Sequence, residues 1–163
     1  MSAPTTPAYS LVDHHGRPVT ERSYRGRWQL VFFGFTHCGA VCPRALRRLS
    51  ATLDDLAEPT GTISPLYITV DPDRDTPTVM REFLREYPHF TGLTGSAEAI
   101  EAVKAAFRVF ARREDDSAAP DGYSVPHTAI TYLVSPAGEY KAHFSDAMPQ
   151  KELVARLRAH LDR

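Results

Sequence analysis

A chain of 163 residues with 19 Lys and Arg against 20 Asp and Glu carries a formal charge of −1 at pH 7. Charge so evenly mixed leaves no electrostatic footprint for nucleic acid, and the length suits one domain with a full core. No apolar run reaches the ~18–20 residues of a membrane span, and the N-terminus lacks a signal-peptide core.

Residues 1–8, rich in Pro and Thr, read as a linker and a candidate remnant of a membrane tether. Residues 9–163 then form a single domain. Residues 9–12, the His14-His15-Gly16-Arg17 turn and Pro18-Val19 predict a short N-terminal β-hairpin. Adjacent strand residues point to opposite faces, so His14 and His15 are turn residues and not ligands. Arg25-Gly26-Arg27 turns the chain into Trp28. Residues 30–35 are a short apolar run rich in aromatic and β-branched side chains, the mark of a buried strand.

From Pro43 the pattern changes. Leu46, Leu49, Leu53 and Leu56 recur at the spacing of an amphipathic helix reaching about residue 57. Pro43 suits its first turn, where a missing N–H costs nothing. Arg44, Arg47 and Arg48 form a solvated face. Residues 66–70 are a second core strand, stopped by Asp71-Pro72-Asp73-Arg74-Asp75-Thr76-Pro77. Thr76 is an N-cap and Pro77 a first-turn proline, opening a helix through Val79, Met80, Phe83, Leu84 and Tyr87.

A third helix is predicted over 97–112, with Ile100, Val103, Phe107 and Phe110 on one stripe. Residues 113–122 read as a mobile loop. A third core strand over 128–134, a turn at 135–138 and a strand over 139–144 precede a last helix over 149–161. Strands alternating with helices, then a hairpin and a closing helix, argue for an α/β thioredoxin-like fold. It has a central mixed sheet flanked by helices.

Both cysteines, Cys38 and Cys42, fall between the first core strand and its helix, where α/β folds place their chemistry. Unpaired amide N–H groups and the positive helix end favour a thiolate there. Two cysteines alone do not fix the redox compartment. Residues four apart on a helix have Cβ atoms about 5–6 Å apart, whereas a disulfide wants roughly 3.5–4.5 Å. If the loop is already helical, oxidation requires it to tighten, while a metal bridging two sulfurs tolerates the wider spacing. Both chemistries stay open.

Cu(I) prefers thiolates with an imidazole completing the site. His37 adjoins Cys38, which makes joint chelation awkward, though it can favour the thiolate. His127 stands at the entrance of the third core strand. In a parallel sheet it lies at the edge of the fold, where a loop can bring it over the cysteines; a histidine satisfied by backbone fits the pattern equally. His89, His143 and His160 read as surface residues. Asp71, Asp73 and Asp75 lack the Gly and distal Glu of a calcium loop. They read as turn and cap structure, with Arg74 paired to a carboxylate.

Several blocks together carry a resemblance: Phe33-Gly34-Phe35-Thr36-His37-Cys38 with Cys42-Pro43, Val70-Asp71-Pro72 with Arg74-Asp75-Thr76-Pro77, Gly92-Leu93-Thr94-Gly95, and Tyr123, Val125, His127-Thr128 with Tyr132-Leu133. In order and spacing the chain resembles the Sco (SenC/PrrC-type) family over nearly its whole length. The resemblance implies a thioredoxin-like copper metallochaperone, not a turnover enzyme, serving the dinuclear copper centre of cytochrome c oxidase. It implies copper, as Cu(I) and in a second state Cu(II), held by Cys38, Cys42 and His127. The implied partner is cytochrome c oxidase subunit II, with another periplasmic copper chaperone as a further candidate. No nucleic acid is implied, nor membrane contact by the domain itself. The implied location is periplasmic, on the outer face of the cytoplasmic membrane, by way of an anchor that this sequence does not contain.

The rival reading is a thiol–disulfide oxidoreductase in which Cys38 and Cys42 are a redox dithiol that reduces the oxidase copper-site cysteines. A peroxidase has no further motif behind it. Three positions depart from the family pattern. Gly39 replaces a usual Pro, Pro126 replaces an acidic or amide residue before His127, and Ser135 replaces a common Asp in the hairpin turn. The change at 126 bears on copper affinity and on the Cu(II) state.

Overall fold

The computed structural model describes residues 8–36, 41–59, 61–109, 114–115, 123–124 and 130–161. A seven-stranded sheet of order β2-β1-β5-β4-β3-β8-β9 organises them. Its strands are β1 (Ser10–Asp13), β2 (Pro18–Thr20), β3 (Trp28–Gly34), β4 (Ile63–Thr69), β5 (Thr91–Thr94), β8 (Ile130–Val134) and β9 (Tyr140–Ser145). A separate pair, β6 (Glu114–Asp115) and β7 (Tyr123–Ser124), is antiparallel. The helices are α1 (Val41–Leu56), α2 (Pro77–Phe83), α3 (Ala97–Phe107) and α4 (Gln150–Leu161), with a 3-10 turn at Leu84–Glu86 after α2.

β3 lies inside the sheet and is apolar almost throughout because both its faces are covered. Leu30 and Phe32 join the core formed with Leu46 and Leu49 of α1, Met80 of α2 and Leu153 and Leu157 of α4. Val31 and Phe33 point the other way, into the core formed with Ile100, Val103 and Phe107 of α3. Phe33 is fully buried, with ring centroids of Phe107 at 5.4 Å and Tyr132 at 6.0 Å, both edge-on. The period of two in side-chain direction thus builds two cores from one strand.

The thioredoxin-like layering, the mixed sheet and the β1–β2 hairpin agree with the expectation. Four details differ. β5 is a strand where none is predicted from the four residues Thr91–Thr94. It pairs in parallel with β4, and a Cβ on Gly92 would lie 2.8 Å from Leu84 Cδ1 and 3.0 Å from Met80 Cε. Close packing of α2 on the strand, and not side-chain pattern, defines it. α3 stops at Phe107, short of residue 112, because Arg108 turns left-handed (φ 56°) and its N–H bonds back to Ala105 and Lys104. Phe110 lies outside the described residues. The β6–β7 pair occupies ends of the stretch read as a mobile loop and its flank. Last, β8 is antiparallel to β3, with Phe32 opposite Thr131 and Leu30 opposite Leu133; a parallel placement of that strand does not hold.

His14 is a turn residue with a fixed task. Its Nδ1 accepts the Gly92 N–H at 2.9 Å, extending the β1–β5 ladder beyond the Asp13–Leu93 pair. Burial, then the neighbouring His15, holds the imidazole below its ordinary range. A lowered value in the folded state means that the unfolded chain binds more protons near and below about pH 6.5. The contribution of His14 is therefore present above that pH and lost as pH falls. His14→Asn offers an acceptor that does not titrate. Urea midpoints should fall less for this variant than for the wild type between about pH 7 and pH 5, and parallel midpoints would exclude the effect.

Candidate metal and thiol site

β3 and β4 run in parallel and end together. Gly34 pairs with Thr69, and Val70 N–H donates to Gly34 O at 2.8 Å. Both chains then leave the sheet over a polar layer. Thr69 is fully buried, and its hydroxyl donates to Asp75 Oδ2 at 2.7 Å while accepting the Asp71 N–H at 2.9 Å. The Thr36 N–H donates to Asp75 Oδ2 at 3.0 Å, and the Thr36 hydroxyl donates to Asp75 Oδ1. Burial pushes the Asp75 carboxyl up, against the opposing pull of its bonds from Thr36 and Thr69.

Asp71 is also buried, and Arg74 Nε donates to its Oδ2. The Arg74 guanidinium carbon stands 5.7 Å from the centroid of the Phe35 ring. The expected pairing of Arg74 with a carboxylate is therefore present. Thr76 is the N-cap of α2, its hydroxyl accepting the Val79 N–H at 3.3 Å. Asp75 does not cap; it reaches across 39 positions to Thr36. The sequence offers little sign of this, since Asp before Thr-Pro reads as local turn chemistry.

α1 begins at Val41, so Cys42 is its second residue and Pro43 its third. A first helical turn has amide N–H groups without intrahelical partners, which stabilise a thiolate. Arg44 and Arg48 each approach Asp146 at 3.8 Å, while Arg47 is exposed. His37, Cys38 and Gly39 lie outside the described residues, as do Pro126 and His127. Their described flanks share one end of the sheet. Because β8 is antiparallel to β3, it starts where β3 finishes. His89 and His143 are exposed, and His160 is half-buried. At the third departure, Ser135 Oγ accepts the Glu139 N–H at 3.1 Å, so a hydroxyl closes the hairpin turn. Among the described residues no group of three His, Cys, Asp or Glu side chains could hold a metal ion. Also among them, no helix is long and apolar enough to cross a membrane.

A strand delivering its chain to a cysteine in a helix's first turn, with the fold around it, can be compared with known proteins. A family model described as SCO1/SenC matches residues 1–162. The chain belongs to the SCO1/SenC family. Among SCO relatives, the mitochondrial SCO1 homologue of Mus musculus is 35% identical over 159 residues, covering 94% of this chain and 55% of its own. The chain spans about half the length of the mammalian SCO proteins it matches. A solved structure of Arabidopsis thaliana ScoI, described as copper-bound, is 32% identical with a TM-score of 0.89, covering 98% of this chain and 99% of that one. Copper-bound ScoI of Bradyrhizobium japonicum is 34% identical with a TM-score of 0.85, covering 96% and 99%. These neighbours share the thioredoxin-like Sco fold.

The Asp71–Arg74 pair just after β4 has side chains only 5% and 8% exposed. Removing one partner of a buried ion pair strands the other charge and costs about 3–5 kcal/mol. Arg74→Ala should therefore lose about 3 kcal/mol in urea unfolding, whereas Arg47→Ala on the exposed face should change stability by less than ~0.5 kcal/mol.

Proposed function

We propose that this domain is a copper metallochaperone, with Cys38 and Cys42 as thiolate ligands and His127 as the neutral imidazole that completes the site. Antiparallel pairing of β8 with β3 carries the proposal. It starts the strand that follows His127 at the sheet end where the strand that precedes Cys38 stops. Two thiolates and an imidazole suit Cu(I), and copper-bound relatives of the same fold support the choice of metal.

The cargo passes to the dinuclear copper centre of cytochrome c oxidase, through its subunit II, and reaches the domain from another periplasmic copper chaperone. Residues 9–163 act as the single copper-handling domain, with 1–8 as linker, on the outer face of the cytoplasmic membrane. Gly39 eases tightening of the loop between the thiols. Pro126 has no backbone N–H to donate and stiffens the chain just before His127.

Anaerobic titration of the reduced protein with Cu(I), the metal counted by mass spectrometry, should give one copper per chain. Cys38→Ser or Cys42→Ser should abolish tight binding, and native affinity in either variant would rule the site out.

The oxidoreductase reading is favoured by the same placement of Cys42 in a first helical turn, and His127 separates the two. A dithiol reductant needs two thiols and one lowered pKa, while a three-ligand copper site needs the imidazole as well. His127→Ala should weaken copper binding by about tenfold or more. It should move the dithiol reduction potential by less than about 30 mV, or ~1.4 kcal/mol for two electrons. Unchanged affinity with a shifted potential would favour the oxidoreductase.

A further inference from the structure

Asp75 is 0% exposed, at the end of a turn closed by its own N–H on Asp71 O at 3.0 Å. A carboxylate in such a place is costly unless its oxygens are hydrogen-bonded. Three bonds converge on it, and two of them come from one residue: the Thr36 N–H at 3.0 Å and the Thr36 hydroxyl. The third comes from the Thr69 hydroxyl at 2.7 Å. Thr69 is fixed in β4 by its pairing with Gly34. The carboxylate therefore ties Thr36 to a rigid strand end from below. Thr36 stands two residues before Cys38.

We propose that Asp75 is a positioning residue for the dithiol, clamping Thr36 and so fixing the stem from which Cys38 is presented to Cys42. The proposal rests on the reading that Cys38 and Cys42 are the working thiols. Cys42 belongs to α1, while Cys38 precedes the helix on the chain that leaves Thr36. With Cys42 held by α1, the reach of Cys38 towards it depends on where Thr36 stands. A clamp on that stem sets the balance between dithiol and disulfide without touching either sulfur.

The test is the equilibrium of the protein with glutathione. In that exchange the two thiols lose two protons and two electrons to an S–S bond, and one oxidised glutathione becomes two reduced ones. Asp75→Ala, checked for folding by circular dichroism, should move the equilibrium constant fivefold or more from wild type. Asp75→Asn should stay within fivefold. Its Oδ1 accepts from the Thr36 and Thr69 groups that now meet Oδ2, and its amide donates to the Thr36 hydroxyl. Should Asp75→Ala fail to fold, Thr36→Val removes one stem contact at nearly constant volume. It should move the constant further than Thr69→Val, which removes the contacts made away from the stem, to Asp75 and to the Asp71 N–H.

An Asp75→Ala constant within fivefold of wild type overturns the proposal. So does an Asp75→Asn that shifts as Ala does, because charge and not position would then be acting. In the fallback, a Thr69→Val effect equal to that of Thr36→Val overturns it, as does a wild type that forms no Cys38–Cys42 disulfide at any glutathione ratio. Cu(I) affinity measured on the same proteins keeps the two readings apart. A wild type that binds no Cu(I) while Asp75→Ala still shifts the glutathione constant ends the chaperone reading and leaves the clamp. A wild type that binds Cu(I), with an unshifted Asp75→Ala constant, does the reverse.

Discussion

β3 is paired along both edges and covered on both faces, and that double burial constrains everything around it. Parallel pairing with β4 and antiparallel pairing with β8 satisfy its backbone, while Leu30 and Phe32 feed one core and Val31 and Phe33 the other. A strand with all four sides occupied has no freedom to slide. A slip of one residue would exchange the two sets of side chains between cores of different shape. Its carboxyl end is therefore a fixed point, and the chain that leaves it for the cysteines departs from a defined place.

At that fixed point the fold changes from apolar to polar within two residues. Phe35 is still buried, but the ring faces the Arg74 guanidinium, and Thr36 turns to Asp75. Thr69, Asp71, Arg74 and Asp75 form a small hydrogen-bonded layer at the ends of β3 and β4. Apolar residues of similar volume could fill the same space at no loss of stability. What they could not do is fix direction, because dispersion contacts tolerate rotation and short hydrogen bonds do not. A polar layer therefore orients the chain that leaves it towards Cys38, where an apolar one would only fill space.

How far this was legible in the sequence follows from where the signal resides. β3, β4, α1 and α4 are long or strongly periodic, and each lies close to its predicted span. The Cys38/Cys42 spacing is read from the sequence alone, and Cys38 lies outside the described residues. β5 was missed because its four residues carry no pattern; Gly92 is there to let Leu84 and Met80 approach. In the sequence Asp75 reads as local turn chemistry, since its partner lies 39 positions away. The direction of β8 is not written in its own residues at all. Buried strands read alike in parallel and antiparallel sheets once both faces are covered.

That last point bears on the chemistry. In an all-parallel sheet every strand starts at the end opposite to the one where ligands gather. A histidine just before a strand would then stand a full strand length from cysteines placed just after one, about 17 Å for the five residues of β8 at roughly 3.3 Å each. Reversing one strand removes that distance. The thiols alone serve metal or electrons equally, because both chemistries use the same two sulfurs. The strand that follows His127 starts at that sheet end, and an imidazole there would add a donor that the metal needs and disulfide exchange does not. The choice between the two chemistries therefore turns on the direction of β8 more than on the cysteines themselves.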